Sequence, residues 1–240
     1  MKIIIVRHAD PDYALDSLTE VGWEEARLLS DRLCRLDVKE FYVSPLGRAR
    51  DTASLTLDKL GREAAVCDWL REFWPSICRP DREGLSICWD WLPTDWTKEP
   101  AFFDYRRWTE PAVMAGVAQA AKEVTDGLDA ILAKNGYVRE GENYRVERPN
   151  EDTVLFFCHF GLECVLLSHL LHISPMVLWH GTCAAPASVT ILTTEERRKG
   201  IASFRMNTFG DTSHLYVAGQ TPSWSARFCE MYDNMDQRHD

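Results

Sequence analysis

Residues 2–6 read Lys-Ile-Ile-Ile-Val, in which the four residues after Lys2 form an apolar, β-branched run with no polar residue interleaved. A strand with one wet face alternates apolar and polar side chains, whereas a strand covered on both faces does not. The run therefore predicts a central strand of an α/β sheet. Phe41-Tyr42-Val43 and Val154-Leu155-Phe156-Phe157-Cys158 repeat the pattern. Residues able to do chemistry follow each run at once: Arg7-His8 after the first, Ser44 to Arg48 after the second, His159 after the third. If the three strands are neighbours in one parallel sheet, those side chains gather at its carboxyl edge, where open α/β sheets bind ligands.

The remaining pattern fills in the layers. After Thr19, Ala26, Leu29, Leu33 and Leu36 recur at helical spacing, with Glu20, Glu24 and Glu25 near the positive end of the helix dipole. Ser44-Pro45 predicts an N-cap and a helix beginning at Pro45, which puts Arg48 in its first turn. Residues 64–69 predict a third strand that stops just before Leu70-Arg71-Glu72. From Phe73 to about Asn150 prolines and tryptophans crowd together, followed by a helix over about 112–134, which reads as an inserted cap subdomain. A helix over about 161–171 and strands near 188–193 and 201–207 complete the chain, and the acidic end from Asp233 to Asp240 is expected to fray. The expected architecture is a three-layer αβα sandwich, a single domain over 1–240 with 73–150 inserted. Its sheet is expected to be mostly parallel, with one antiparallel edge strand.

The formal net charge of -10 argues against a general affinity for nucleic acid or an anionic membrane, both of which need a basic face. An anionic substrate would need a local basic pocket. The eight cysteines are scattered, several in apolar runs, which suits buried thiols better than a disulfide framework. No zinc-type Cys-x-x-Cys pair occurs, and His169, His172 and His180 lie in or beside a Leu-rich helix, where structural histidines are commoner than ligands. No metal or other cofactor is expected. Arg7, His8, Asp10 and Asp12 interrupt the N-terminal apolar run too early for a signal peptide, so the expected location is cytoplasmic.

Four segments together resemble one family. These are Arg7-His8-Ala9; Leu18-Thr19-Glu20-Val21-Gly22 with Ala26; Ser44-Pro45-Leu46-Gly47-Arg48-Ala49 with Thr52-Ala53; and His159-Phe160-Gly161. In order and spacing they are similar to the histidine phosphatase superfamily, in its phosphoglycerate mutase-like branch. Two positions depart from that pattern. Ala9 stands where glycine is usual, which the backbone accepts if φ there is negative. Phe160 stands where a second glycine often follows the late histidine, so it either narrows the pocket or turns away. An aspartate usually follows that histidine in the acid phosphatase branch, and Phe160 counts against that branch.

The resemblance implies a phosphomonoester hydrolase working through a phosphohistidine on a small phosphorylated metabolite. Arg7 and Arg48 would offset the phosphoryl charge, since planar guanidinium groups bind its oxygens in a bidentate way. His8 would be the nucleophile, and His159 would donate a hydrogen bond to the transferring group. Glu72, in a Leu-x-Glu setting after the third strand, is the candidate general acid, flanked by Trp69, Phe73 and Trp74 that could desolvate it. Asp10 is the runner-up acid, followed by Glu163. The role of residues 10–16 in holding phosphate is open. Arg79, Arg82, Arg106 and Arg107 are candidates to read a second anionic group on the substrate. Asn207 and His214 resemble a late family segment without an assigned catalytic role. The alternatives are a mutase, which returns the phosphoryl group to another hydroxyl, and a non-catalytic binder of phosphorylated ligands.

Overall fold

The computed structural model describes residues 1–223 and residue 233. The chain opens with β1 (Lys2–Arg7), followed by a hairpin of two short strands, β2 (Pro11–Asp12) and β3 (Ser17–Leu18). Helix α1 (Glu20–Leu33) is capped by the Thr19 hydroxyl, which accepts from the Gly22 amide at 3.0 Å. Next come β4 (Glu40–Val43), α2 (Gly47–Leu60), β5 (Ala65–Val66) and a 3₁₀ turn over Asp68–Leu70. The hairpin of β6 (Ser76–Cys78) and β7 (Leu85–Ile87) and the single turn α3 (Pro93–Trp96) lead to α4 (Val117–Lys134). After β8 (Tyr137–Glu140) and β9 (Asn143–Val146) the core resumes with β10 (Thr153–Cys158), α5 (Phe160–Leu171) and α6 (Pro175–Gly181). β11 (Val189–Arg198), β12 (Ile201–Asp211) and α7 (Ser213–Val217) complete the described elements.

One eight-stranded sheet runs β5-β4-β10-β1-β11-β12-β9-β8. Ile4 and Val6 of β1 face a core shared with Ala26, Leu29 and Leu33 of α1 and Ala49 and Ala53 of α2. Ile3 and Ile5 face the opposite core, with Leu128 and Leu132 of α4 and Leu162 and Leu166 of α5. β1 therefore has an apolar layer on each face, which is why its sequence lacks alternation. Complete burial of each such leucine contributes about 1.5–3 kcal/mol.

The half made of β5, β4, β10 and β1 is parallel. Its register decides where the chemistry goes. Arg7 lies opposite Cys158 and Phe157 opposite Val43, so His8, His159 and Ser44 leave the sheet at nearly one level. The ladder runs one step further, because the His8 amide donates to the Cys158 carbonyl at 3.0 Å and the Ser44 amide to the Phe157 carbonyl at 2.9 Å.

Four features differ from the sequence expectation. At the far edge, β11 runs antiparallel to β1 and the ladder continues antiparallel through β12, β9 and β8, in place of one antiparallel edge strand. The connections are the reason, since Lys199-Gly200 and Gly141-Glu142 join successive strands in turns too short for a crossover. Residues 137–146 of the expected insertion pair in the main sheet and α4 covers one of its faces, so only the stretch from about 73 to 116 departs from the layers. The third strand is cut to Ala65–Val66, and α2 starts at Gly47 after an N-cap Leu46 without a side-chain cap bond. The expected fraying of the acidic end lies outside the described residues, apart from Asp233. Most tryptophans of the Trp-rich stretch are packed: Trp89, Trp91, Trp96 and Trp108 are buried, and Phe73, Trp89 and Trp108 surround Trp179 of α6.

Candidate active site

The head of the parallel half brings Arg7, His8, Arg48 and His159 together. The imidazoles of His8 and His159 have centroids 5.1 Å apart at a tilt of 57°. All four residues are at most 4 % exposed. Burial is the first reason that the His8 imidazolium is disfavoured, and the charges of Arg7 and Arg48 add to it, so its pKa lies well below 6.5. His159 is pushed well down in the same way, by burial and then by His8, Arg48 and Arg7. Both rings are neutral at physiological pH.

Hydrogen bonds fix which nitrogen of each ring does what. His8 Nδ1 lies 2.8 Å from the Ala9 carbonyl, which can only accept, so Nδ1 carries the proton and Nε2 keeps its lone pair. For His159, Nε2 lies 2.7 Å from the Ser44 hydroxyl, whose oxygen also accepts from the Leu46 amide at 3.2 Å. Among the described residues the Ser44 hydroxyl proton has no other acceptor than Nε2, so Ser44 donates it there, and His159 carries its own on Nδ1, which is buried and has no partner among those residues. A donor left in that state suits an anionic oxygen. Ser44 had read as a helix cap; its work is to set this tautomer, and only the register of β4 on β10 could have revealed it.

The guanidinium groups are held with one face or edge engaged. Arg7 donates from Nη1 to the Ala184 carbonyl and lies 5.5 Å from the Phe160 ring centroid, while its Nε has no partner among the described residues. Phe160 therefore turns inward and floors the site, at 1 % exposure. Arg48 lies between Tyr13 and Trp74, 5.4 and 5.9 Å from their ring centroids, and pairs with Asp16 at 2.6 Å; its Nε is also unpartnered. The other Asp16 oxygen accepts from the Gly47 amide at 2.7 Å. A Cβ at Gly47 would stand 2.0 Å from the Asp16 carbonyl, so glycine is what lets the 11–16 loop sit on α2. Asp16 is thus a brace for Arg48 in this loop. Ala9 is absent from the positive-φ residues, and its amide donates to Thr52 Oγ1 at 3.0 Å, so the extra methyl is unstrained.

Glu72 joins the cluster from the loop after the 3₁₀ turn. Its Oε1 accepts from the Phe73 amide at 2.8 Å and the Leu162 amide at 3.0 Å. Burial raises its pKa above the usual glutamate value, against those two amides and the charges of Arg7 and Arg48. Gly161 makes room, since a Cβ there would lie 2.7 Å from Glu72 Oε1 and 2.8 Å from the Trp89 ring. The residue as a whole is half-buried and lines a cleft.

The other candidates are placed elsewhere or held by neighbours. Asp10 accepts from the Thr19 hydroxyl at 2.7 Å, and its amide donates to buried Glu25 at 2.9 Å, which ties it to the start of α1. Arg79 is buried against Asp81, Arg106 pairs with Glu142 at 2.8 Å, Arg107 pairs with Glu110 at 2.9 Å, and Arg82 is exposed in the β6–β7 turn. None of these four lies against the histidine pair. His169 pairs with Asp129 at 2.9 Å, and His180 accepts from the Trp91 amide at 2.9 Å. Asn207 is exposed on β12, and His214 sits beside Arg32 at 3.3 Å. Cys88, Cys158 and Cys164 are buried free thiols, whereas Cys78 is exposed.

Glu163 lies in the first turn of α5 at 1 % exposure. Burial pushes its carboxyl up to about 7, against a hydrogen bond from Thr190 and the charge of Arg7. The raised value means that the folded protein holds a proton which the unfolded chain releases near 4.5. Stability is therefore lost as pH climbs from about 4.5 through 7, by about 3 kcal/mol in all. Glu163→Gln is expected to flatten this dependence, raising the urea midpoint at pH 8 far more than at pH 5. An unchanged slope would show that this carboxyl does not carry it.

Among the described residues no group of three His, Cys, Asp or Glu side chains is arranged to hold a metal ion, and no helix is long and apolar enough to cross a membrane. Comparison with known proteins agrees with the fold. A phosphoserine phosphatase variant from Entamoeba histolytica, solved with phosphoserine, superposes with a TM-score of 0.57 at 18% identity, covering 89% of this chain and 98% of that one. A mycobacterial glucosyl-3-phosphoglycerate phosphatase superposes with a TM-score of 0.56 at 19% identity, covering 88% and 99%. A stretch of 80 residues is 38% identical to a putative phosphoserine phosphatase 2 of Hydrogenobacter thermophilus, covering 30% of this chain and 39% of that relative. The chain thus spans about two fifths of that curated protein's length. The sequence profile of the histidine phosphatase superfamily (branch 1) matches residues 3–207, so the chain belongs to that superfamily.

Proposed function

We propose that this protein hydrolyses a small phosphomonoester through a phosphohistidine at His8. One observation carries the reading: two neutral imidazoles 5.1 Å apart, each in a defined tautomer, lie beside two buried guanidinium groups at the head of the parallel strands. Phosphoserine and glucosyl-phosphoglycerate phosphatases among the similar proteins support the reaction class.

The phosphoryl oxygens would lie against Arg7 and Arg48, with His159 Nδ1–H donating to one of them. His8 Nε2 attacks phosphorus as the bond to the leaving oxygen breaks, and that oxygen takes the Glu72 proton. In the second half, water attacks the phosphohistidine and gives its proton to the Glu72 carboxylate. The phosphorus–nitrogen bond breaks, His8 recovers its lone pair, and inorganic phosphate leaves. No metal takes part in this scheme, because the guanidinium groups and His159 offset the charge.

The decisive experiment is product analysis on a panel of phosphorylated metabolites. Inorganic phosphate released with the free alcohol is the expected result. An isomerised phosphate ester would make the protein a mutase, and binding without turnover would make it a receptor for phosphorylated ligands.

A further inference from the structure

A cleft of about 700 Å³ opens beside Glu72, lined by Trp69, Phe73, Trp74, Pro75 and Val124. Its size lies within the range of small-molecule sites. The walls are firmly seated. The Trp69 ring rests on Gly127, where a Cβ would lie 2.5 Å from it, and has its centroid 6.2 Å from that of Phe156. Trp74 is 47 % exposed, and its ring joins the cleft to the phosphoryl site, since Arg48 lies 5.9 Å from its centroid.

Position and charge together say what belongs there. A general acid must sit against the leaving oxygen, so the alcohol half of the ester lies on the Glu72 side of phosphorus. That side is this cleft. Its charged residues besides Glu72 are Asp68, Glu123 and Arg71, and Arg71 already faces Asp68 at 3.8 Å. A carboxylate on the alcohol would meet more negative charge than positive. Arg79, Arg106 and Arg107, which could have balanced it, are each paired within the 73–150 region.

We propose that the substrates are phosphomonoesters of uncharged, apolar alcohols whose hydrocarbon body fills this cleft. The proposal rests on the phosphatase reading above and adds its leaving-group class. It also separates this chain from the relatives solved with phosphoserine or 3-phosphoglyceric acid, both of which carry a carboxylate.

The test compares 2-phenylethyl phosphate with O-phospho-L-serine and 3-phosphoglycerate, all esters of alkyl alcohols, with p-nitrophenyl phosphate as a general reporter. The expected kcat/KM for 2-phenylethyl phosphate exceeds that for each carboxylated ester by at least about ten-fold, mostly through KM. Glu123→Lys, on the exposed face of α4, should raise kcat/KM for 3-phosphoglycerate several-fold while leaving it the poorer substrate. Hydrolysis of p-nitrophenyl phosphate with equal or better turnover of the carboxylated esters would overturn this proposal and leave the phosphatase reading standing. No phosphate released from any ester would overturn the phosphatase reading itself.

Discussion

His8→Ala is expected to abolish phosphate release, lowering kcat on the order of 10⁴-fold or more, because in the proposed mechanism it removes the atom to which phosphorus is transferred. Arg7, Arg48 and His159 remain in the variant, so the proposed phosphate cradle is kept. What is lost is the division of one hard displacement into two easier ones. Rapid quench of wild type with a ³²P-labelled ester in alkaline denaturant should trap a base-stable, acid-labile phosphoenzyme, and the variant should trap none. Labelling that survives the substitution would assign the nucleophile to another residue. The ring is 2 % exposed and makes a single hydrogen bond to its neighbour's carbonyl, so its removal should leave the fold intact, as far-UV circular dichroism can verify.

Glu72→Gln should cost about 10²–10⁴-fold in kcat/KM, which reports the first phosphoryl transfer, for esters of alkyl alcohols and much less for p-nitrophenyl phosphate, whose leaving group departs without a proton. A similar loss for both classes would show that the carboxyl is not the acid. The pH profile offers a second check. Activity needs neutral His8 and protonated Glu72. The first condition holds down to pH values well below 6.5, because burial and the two arginines depress His8. The second holds to higher pH than for an exposed glutamate, because burial raises Glu72 above 4.5, and a bound phosphoryl dianion raises it further. The kcat of the wild type should therefore decline as pH rises through the raised Glu72 pKa. In the glutamine variant that alkaline limb should vanish while the acid limb stays.

Much of this arrangement can be read from the residues because the information is local. Each of β1, β4 and β10 is an apolar run that needs cover on both faces, and parallel neighbours with one register must put His8, His159 and Ser44 at a common level. What cannot be read depends on the chain closing back on itself. Nothing local to Ser44 says that its hydroxyl meets His159 across 115 residues. Asp16 looks like any loop aspartate until Gly47 admits its backbone and Arg48 meets its carboxylate. Tyr13 and Trp74 lie far apart in sequence, yet both sit over one guanidinium. The β8–β9 hairpin fell inside a stretch whose prolines and tryptophans suggested a separate cap. Only its pairing with β12 assigns it to the main sheet.

Among the described residues, Arg7 Nε, Arg48 Nε and His159 Nδ1 of the site are buried and have no protein acceptor. An oxyanion held between them would bind the native state alone and stabilise it by linkage. Phosphate at a hundred times its dissociation constant would add about 2.7 kcal/mol to the native state. Melting curves recorded in phosphate buffer will flatter every variant that still binds it, and a change to a non-coordinating buffer will separate damage to the scaffold from damage to the cradle.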